Sequence, residues 1–239
     1  MRLPNRLNWL LSYDLYERHY VVAQLIAARR RPSAIVLDVG GRVGLLARFT
    51  PCHVVSVNVD GSGDVQYAGG TLPFADRTCD VVTAIDTLEH LPRRQRSAFL
   101  LECLRVSRDT VIVAAPFNSP GHAEAETHLN AIFSQITGQP HPYLSEHIRY
   151  GLPDLEEING WVTQSRARRY RLLFAGDYRR ECRFFEAALR CRTTKNLWGR
   201  LSALVWHIRS RAVFNRLRLS NHPLAYTNRF YLELAIGRP

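Results

Sequence analysis

Apolar residues in the first half of the chain form short continuous runs, separated by turns or by stretches with helical periodicity. Runs that are apolar on both faces are typical of parallel strands buried within a sheet. The predicted strands cover residues 34–37, 53–59, 80–85 and 110–115, followed later by 170–175 and 229–236. Because strands alternate with helices, the pattern indicates a doubly wound α/β sheet.

Apolar residues at helical spacing mark the segments between these runs. The predicted helices are one that includes Tyr16 and ends before Pro32, one over 43–49, one that begins at Pro92 and one over 154–162. The first helix belongs to a segment, 1–32, that we expect to act as an N-terminal lid. Residues 117–153 are rich in Pro, Gly and His and predict an irregular loop region on the acceptor side. Residues 177–222 predict an Arg-rich helical insertion.

The composition is that of one folded domain. At 239 residues, with 46% hydrophobic and 22% charged residues, a single domain over 1–239 is expected. The 5 cysteines are odd in number and contain no Cys-x-x-Cys pair, which favours reduced thiols. No apolar run reaches the ~20 residues that span a bilayer. We therefore expect a cytoplasmic protein, with peripheral contact with a membrane left open.

Glycines follow the first predicted strand, in the stretch Asp38-Val39-Gly40-Gly41-Arg42-Val43-Gly44. Glycine lets a ligand approach the backbone closely, and the N-terminus of the helix expected next would offer free N–H groups. Asp38, at the end of the strand, can receive an ammonium group. Many α/β folds contain such a turn without a ligand, so its meaning depends on the motifs that follow.

Three further motifs follow the turn in order: Leu72-Pro73-Phe74, Cys79-Asp80-Val81-Val82 and Asp86-Thr87-Leu88-Glu89-His90. Together with the turn they resemble the class I S-adenosylmethionine-dependent methyltransferases, and in particular their type 11-like branch. The resemblance covers roughly the first half of the chain. It implies a Rossmann-like doubly wound sheet, mostly parallel with an antiparallel last strand, plus a helical insertion. It also implies S-adenosylmethionine as the cofactor.

The resemblance assigns roles to individual residues. Those around the methionine portion of the cofactor would be Asp38, Gly40, Gly41, Gly44 and Asp86. The family binds the two ribose hydroxyls with an acidic residue at the end of its second strand, where this chain has Asn58, followed by Val59 and Asp60. We expect Asn58 or Asp60, but not both, to face the ribose. Capping by Asp86 and turn formation by Asn58 are the purely structural alternatives.

Two other departures from the family pattern keep alternatives open. Arg42 replaces the middle glycine, and Ala68 stands where an Asp commonly meets the adenine amine. A catalytically degenerate S-adenosylmethionine-binding protein and a membrane or nucleic-acid interaction module on the same scaffold therefore remain as hypotheses. A nicotinamide site is disfavoured, because Arg42 interrupts the G-x-G-x-x-G pattern that it requires.

His90 is the predicted catalytic residue. It follows the strand predicted over 80–85 and so falls at the carboxyl edge of the sheet, where α/β folds bind ligands. Methyl transfer depends mainly on alignment, but for a hydroxyl acceptor His90 could act as the base; packing against the next helix is the alternative. The segment 117–153 holds a second histidine group: His122, His128, His141 and His147. Separations of six residues do not place two ligands on one helical turn, so no metal site is predicted.

The net charge of +11 is concentrated in one segment, since residues 163–221 contain fifteen basic residues against three acidic ones. Within 196–219, apolar residues recur at near-helical spacing among arginines. This pattern is typical of a helix on an anionic membrane surface, and equally of a helix packed on the core. We expect a small-molecule, glycan or lipid-linked acceptor. Nucleic acid is disfavoured as a partner, because no RNA-binding module accompanies the arginines.

Overall fold

The computed structural model describes residues 8, 11–29, 31–193, 198, 201, 202, 204, 205, 208, 209 and 218–236. Seven strands in this part of the chain form one sheet. They are β1 (Ile35–Val39), β2 (His53–Asn58), β3 (Val65–Gln66), β4 (Cys79–Ile85), β5 (Ser107–Pro116), β6 (Arg169–Ala175) and β7 (Arg229–Ala235). Their order across the sheet is β3-β2-β1-β4-β5-β7-β6.

Strand direction confirms the predicted fold class. The pairs β1–β2, β1–β4, β2–β3 and β4–β5 are parallel. Only β7, the last strand, runs antiparallel to its two neighbours, β5 and β6. The sheet is thus mostly parallel with an antiparallel last strand. The short strand β3 is the one strand here that the apolar pattern does not predict.

Helices cover both faces of the sheet. Those with described bounds are α1 (Tyr13–Ala27), α2 (Arg93–Val106), α3 (His122–Thr137), α4 (Pro142–Tyr150), α5 (Leu155–Ser165) and α6 (Tyr178–Thr193). Side chains alternate across β1, so Val36 packs in one core with α1 while Leu37 packs in the other with α2 and α5. Two buried layers explain why the central strands are apolar at nearly every position.

The strand order reverses between β1 and β4. From β1 the chain continues to β2 on one side, whereas β4 leads to β5 on the other. Loops that leave the carboxyl ends of such strands diverge and open a crevice, which is where α/β sheets bind ligands. The loop after β1 carries the glycine turn, residues 40–44, and the loop after β4 carries residues 86–90. Both predicted motifs therefore lie at one carboxyl edge.

The prediction of a helix over 43–49 is wrong about its length and type. A turn and one short 3₁₀ segment, Leu46–Arg48, occupy this stretch. Leu46 is fully buried, but Val43 is 59% exposed. One apolar anchor does not define a helical face, so the glycine turn does not lead into a full α-helix.

The irregular loop predicted for 117–153 is also wrong in its secondary structure, because α3 and α4 lie there. Glycine and proline stand at the ends of these helices rather than within them. Gly121 and Gly138 flank α3 in the left-handed conformation, and Pro142 begins α4. These are the positions that glycine and proline favour at helix termini. The density of both residues therefore marks helix boundaries.

Candidate active site

Gly40 is held between β2 and the segment that follows β4. Its N–H donates to the carbonyl oxygen of Val57 at 2.8 Å, and its φ is +80°. A Cβ at this position would overlap Oγ1 of Thr87. Thr87 in turn donates from Oγ1 to the carbonyl oxygen of Val39 at 3.1 Å. The glycine turn and the 86–90 segment are therefore in direct contact, and the site accepts only glycine.

Asp38 is almost completely buried at the end of β1. Its Oδ1 accepts a hydrogen bond from Oγ1 of Thr83 at 2.7 Å, whereas Oδ2 has no hydrogen-bond partner in the described part of the chain. A Cβ on Gly41 would overlap Oδ2, so this oxygen is directed at the glycine turn. Burial raises the pKa of Asp38 to about 7, and the bond from Thr83 offsets this only in part.

Asn58, the residue that replaces the family's acid, fixes the glycine turn. Its Nδ2 donates to the carbonyl oxygens of Gly40 at 3.0 Å and Gly41 at 3.3 Å, and to Oγ of Ser62 at 3.1 Å. Its Oδ1 accepts from the backbone N–H of Val59 at 2.8 Å. The amide group is thus occupied by the loop itself, as the turn-former alternative anticipates.

Asp60 stands in a different environment, two residues further on. It is exposed, and its Oδ1 accepts from the backbone N–H of Ser62 at 2.9 Å. Hydrogen bonds from Ser62 lower the pKa of Asp60. Its neighbour Val59 is 53% exposed, and a Cβ on Gly44 would meet no atom within 4 Å. These positions border open space at the carboxyl edge, so Asp60 keeps a charged oxygen available.

Asp86 lies in a buried network of charges. It receives hydrogen bonds from the guanidinium groups of Arg18 on α1 and Arg229 on β7. Both arginines also donate to Asp14, at 2.8 and 2.9 Å. Burial by itself would raise the pKa of Asp86, but the two guanidinium groups outweigh it and lower the pKa to about 2. Asp86 is therefore an ionised structural anchor, and no helix begins at it.

The partners of Asp86 were not predicted from the sequence. Arg229 is the first residue of β7 and pairs with Pro116, the last residue of β5. Because β7 is antiparallel, its first residue lies at the carboxyl edge of the parallel strands. Arg18 arrives from α1, whose later residues Val22 and Leu25 are buried in the core. The segment 1–32 thus contributes to the core as well as to the carboxyl edge, and its role as a lid stays a prediction.

His90 ends the short 3₁₀ segment Leu88–His90. Its Nδ1 lies 2.7 Å from Oε2 of Glu146 on α4, and its ring lies 5.2 Å from that of Tyr143. Burial and His147 lower the pKa of His90, although Glu146 opposes them. The carboxylate of Glu146 leaves Nε2 as the free ring nitrogen.

Glu89 and His147 complete a polar cluster around His90. The rings of His90 and His147 are 5.0 Å apart, and Nε2 of His90 lies 4.0 Å from Oε1 of Glu89. Nδ1 of His147 is 3.1 Å from both carboxylate oxygens of Glu126 on α3. Burial and the charge of Asp86 raise the pKa of Glu89 to about 8. The association of these three residues does not follow from their positions in the sequence.

The second histidine group separates in the structure. His122 is buried, stacks on Tyr178 and bonds through Nδ1 to the carbonyl oxygen of Phe117 at 2.7 Å. His141 caps α4, and His128 is exposed on α3. Only His147 joins His90. One face of α4 carries Tyr143, Glu146 and His147 at i, i+3, i+4 spacing. This spacing predicts that the three residues share a face, but it does not predict that the face contacts His90.

The predicted Arg-rich insertion begins with α6, but most of 196–219 lies outside the described residues. Five apolar side chains described between 198 and 208 are well exposed: Trp198 at 75%, Leu201 at 44%, Leu204 at 49%, Val205 at 50% and Ile208 at 54%. Their spacing is that of one helical face. Among the described residues, no helix combines the length and apolar character needed to cross a membrane.

Comparisons with known proteins agree with this architecture. Residues 37–114 match a family described as a methyltransferase domain. The fold is similar to that of the YcgJ protein from Bacillus subtilis, with 16% identity, a TM-score of 0.50 and coverage of 92% of this chain and 99% of that one. No curated protein sequence matches the chain.

A second similar structure is phosphoethanolamine N-methyltransferase 2 from Haemonchus contortus, in complex with phosphomonomethylethanolamine and S-adenosylhomocysteine. Its identity is 14% and its TM-score 0.53, and the alignment covers 92% of this chain but only 53% of that one. The sheet order, the strand directions and these similar structures show the fold of class I, Rossmann-like methyltransferases. The family match covers about a third of the chain, residues 37–114, and indicates a methyltransferase domain there.

Proposed function

We propose that the protein methylates a hydroxyl group of a small-molecule, glycan or lipid-linked acceptor at the carboxyl edge, between the glycine turn and the 86–90 segment. S-adenosylmethionine supplies the methyl group when bound. The observation that carries the proposal is the direct contact of Gly40 with Thr87, because it brings the cofactor motif to within a few residues of His90. Proximity of this kind is the main requirement of methyl transfer.

Asp38 is the residue best suited to hold the ammonium group of the cofactor. Its buried Oδ2 lacks a hydrogen-bond partner among the described residues and is directed at the glycine turn. A buried carboxylate oxygen of this kind is costly unless a positive group meets it. The residues present therefore fit the methionine portion of the cofactor, with Gly40, Gly41 and Gly44 allowing close approach of the backbone.

Asp60, rather than Asn58, binds the ribose hydroxyls. The amide group of Asn58 already donates hydrogen bonds to the carbonyl oxygens of Gly40 and Gly41. Asp60 is exposed and carries a full charge, which makes its hydrogen bonds to hydroxyl groups stronger than those of an amide. Asp86 accepts hydrogen bonds from Arg18 and Arg229 and stabilises this edge of the site without contacting the cofactor.

On the acceptor side, His90 promotes loss of the hydroxyl proton. Its Nδ1 is fixed on Glu146, so its Nε2 can either accept the proton or bind a cation that makes the hydroxyl more acidic. Glu146 of α4 contacts His90, and Glu126 of α3 contacts His147, which supports an acceptor side formed by 117–153.

A lipid-linked acceptor is supported by the exposed apolar side chains at 198, 201, 204, 205 and 208. Apolar residues on one helical face with arginines beside them favour binding at an anionic membrane surface.

The experiment is a transfer assay with S-adenosylmethionine labelled on the methyl group, offered separately with the lipid and the water-soluble fractions of a cell extract. We expect label in a product that resists mild alkali, as a methyl ether does and a methyl ester does not. His90→Ala should reduce the rate at least a hundredfold, while His128→Ala, which changes an exposed histidine of α3, should not. Label in amines alone would contradict the hydroxyl acceptor.

A further inference from the structure

Three side chains at the acceptor side direct ligand atoms at one point. One ligand atom from each of Glu89, His90 and His147 lies within 4.8 Å of the other two. Ligands that bind one divalent ion at about 2.1 Å in tetrahedral geometry lie about 3.4 Å apart. A closure of up to about 1.4 Å between ligand atoms, within the reach of side-chain rotation, would therefore bring all three onto a single ion.

Polar atoms in this cluster lack partners. Both carboxylate oxygens of Glu89 and Nε2 of His147 are buried without a hydrogen bond to any described residue. Glu89 is 0% exposed, and the side chain of His147 is 10% exposed. Native proteins satisfy nearly all such groups, because an unsatisfied buried carboxylate costs several kcal/mol or more. One cation would satisfy these atoms together.

The outer nitrogens of both imidazoles are fixed by carboxylates. Nδ1 of His90 lies 2.7 Å from Glu146, and Nδ1 of His147 lies 3.1 Å from Glu126. Histidines that bind metals typically donate their other N–H to a carboxylate, which fixes the tautomer and directs the free nitrogen at the ion. Two histidines on different elements of this chain share this arrangement.

The local charge also favours a cation. Arg18, Arg96 and Arg229 are cationic groups near Glu89, and each is already paired with a carboxylate: Arg18 and Arg229 with Asp14 and Asp86, and Arg96 with Glu157. The carboxylates of Glu89, Glu126 and Glu146 face the two histidines and form no ion pair with an arginine of the described residues.

We propose that Glu89, His90 and His147 bind a divalent transition-metal ion, with Glu126 and Glu146 as positioning residues. Two imidazoles and one carboxylate leave coordination positions open and favour ions such as Zn²⁺ or Mn²⁺ over Ca²⁺. Spacing within 117–153 does not predict this site, because α4 carries His147 to Glu89 and His90, which lie earlier in the chain.

The role of the ion in methylation rests on the proposed function. As a Lewis acid it would bind the acceptor hydroxyl and lower its pKa. The hydroxyl would release its proton to water, the new O–CH₃ bond would form as the S–CH₃ bond breaks, and S-adenosylhomocysteine, whose sulfur is then an uncharged thioether, would leave. His90 then acts as a ligand and not as the base.

Titration of chelator-treated, full-length protein with Zn²⁺, Mn²⁺ or Co²⁺ tests the site. We expect one ion per chain by calorimetry and visible absorption bands for Co²⁺. Glu89→Gln and His147→Gln should weaken binding more than a hundredfold, and Glu126→Gln about tenfold, as loss of an outer carboxylate typically does. His128→Gln, on the exposed side of α3, is the matched control and should bind as the parent does.

Absence of a bound ion, or equal affinity in the parent and in folded Glu89→Gln, would overturn the proposal. Circular dichroism establishes that each variant is folded; if Glu89→Gln or His147→Gln fails to fold, the comparison of Glu126→Gln with His128→Gln decides. S-adenosylhomocysteine binding to the chelated parent is measured separately. Its retention leaves the cofactor site intact whatever the outcome for the ion, so failures of the two proposals are distinguishable.

Discussion

The side-chain amide of Asn58 donates a hydrogen bond to the carbonyl oxygen of Gly40 at 3.0 Å. Asn58 ends β2, and Gly40 begins the turn after β1, so this bond joins two neighbouring strands at the carboxyl edge. An acid at position 58 could not donate it. The resemblance implies an acid at this position, whereas the Asn of this chain shapes the glycine turn.

Comparison of Asn58→Ala with Asp60→Ala separates these two roles. Loss of the Asn58 bonds should reduce the free energy of unfolding by about 1–2 kcal/mol, since each such bond contributes about 1 kcal/mol. Asp60→Ala should leave stability unchanged and weaken S-adenosylhomocysteine binding about tenfold or more. Chemical denaturation and calorimetry measure the two effects. Full affinity in Asp60→Ala would show that another residue binds the ribose.

Gly40→Ala should abolish cofactor binding, because the new Cβ would overlap Thr87 and displace the turn from the 86–90 segment. Gly138→Ala is a matched control: its φ is +82°, close to the +80° of Gly40, but no atom lies within 4 Å of the added Cβ. Both variants therefore carry similar backbone strain, and only the first has the overlap. Equal affinities for S-adenosylhomocysteine in the two variants would show that the glycine turn does not take part in cofactor binding.

The pKa of Asp38 makes cofactor affinity depend on pH. Burial raises this pKa to about 7, so the carboxyl group is largely protonated below that pH and must ionise to receive an ammonium group. Affinity for S-adenosylhomocysteine should thus rise between pH 6 and 7.5. Asp38→Asn should bind weakly and with a nearly flat profile over that range. An equal rise in affinity with pH in Asp38→Asn would show that a group other than Asp38 causes the pH dependence.

The same pKa affects the stability of the ligand-free protein with the opposite sign. Because the folded pKa lies above the unfolded value of about 3.9, the contribution of Asp38 is fully present below pH 4 and is lost as the pH rises through 7. Asp38→Asn should therefore lose less stability than the parent between pH 4 and 7. Thermal unfolding across that range measures the difference.

Replacement of Asp86 by Asn should destabilise the fold by about 3 kcal/mol or more, because Arg18 and Arg229 would lose their main partner inside the protein. Asp76→Asn provides the matched control, since Asp76 pairs with Arg105 at the surface and its side chain is 73% exposed. Its stability should stay close to that of the parent. Similar stabilities of the two variants in urea would show that the buried network does not anchor this edge.

Binding to anionic vesicles should require both the apolar face and the arginines of 196–219. Trp198→Ala should weaken it, whereas Tyr170→Ala, which removes an aromatic ring 57% exposed on β6, should not. Replacing Arg209, Arg211, Arg216 and Arg218 with Gln should act like added salt, which screens exposed charges beyond about 8 Å at physiological ionic strength. Vesicle co-sedimentation measures both; unchanged binding in folded variants would make the arginine excess a compositional bias.

The sheet was predictable from the sequence because its central strands are buried on both faces. A continuous apolar run such as that in β5 predicts a buried strand directly, and the turns between runs mark where each strand ends and the next element begins. Helices α3 and α4 were missed because histidine, glycine and proline dominate their surroundings, and only Leu129, Ile132 and Leu144 among their apolar residues are buried. With so few buried apolar residues, the helical periodicity of these two segments is weak in the sequence.

The candidate site was predictable only where its residues adjoin in sequence. The glycine turn and the 86–90 segment are local motifs, so their positions followed from the strands that precede them. Arg229 and His147 could not be paired with Asp86 and His90 in this way. Their contacts depend on the antiparallel direction of β7 and on the face that α4 turns to the carboxyl edge, and both are properties of the whole packing.

Calorimetric titration of the parent protein with S-adenosylhomocysteine measures binding at the proposed cofactor site. We expect one binding site per chain, an affinity that rises with pH towards 7.5, and loss of that site in Gly40→Ala but not in Gly138→Ala. Absence of binding by the folded parent, or binding that is unchanged in Gly40→Ala, would contradict the proposed site.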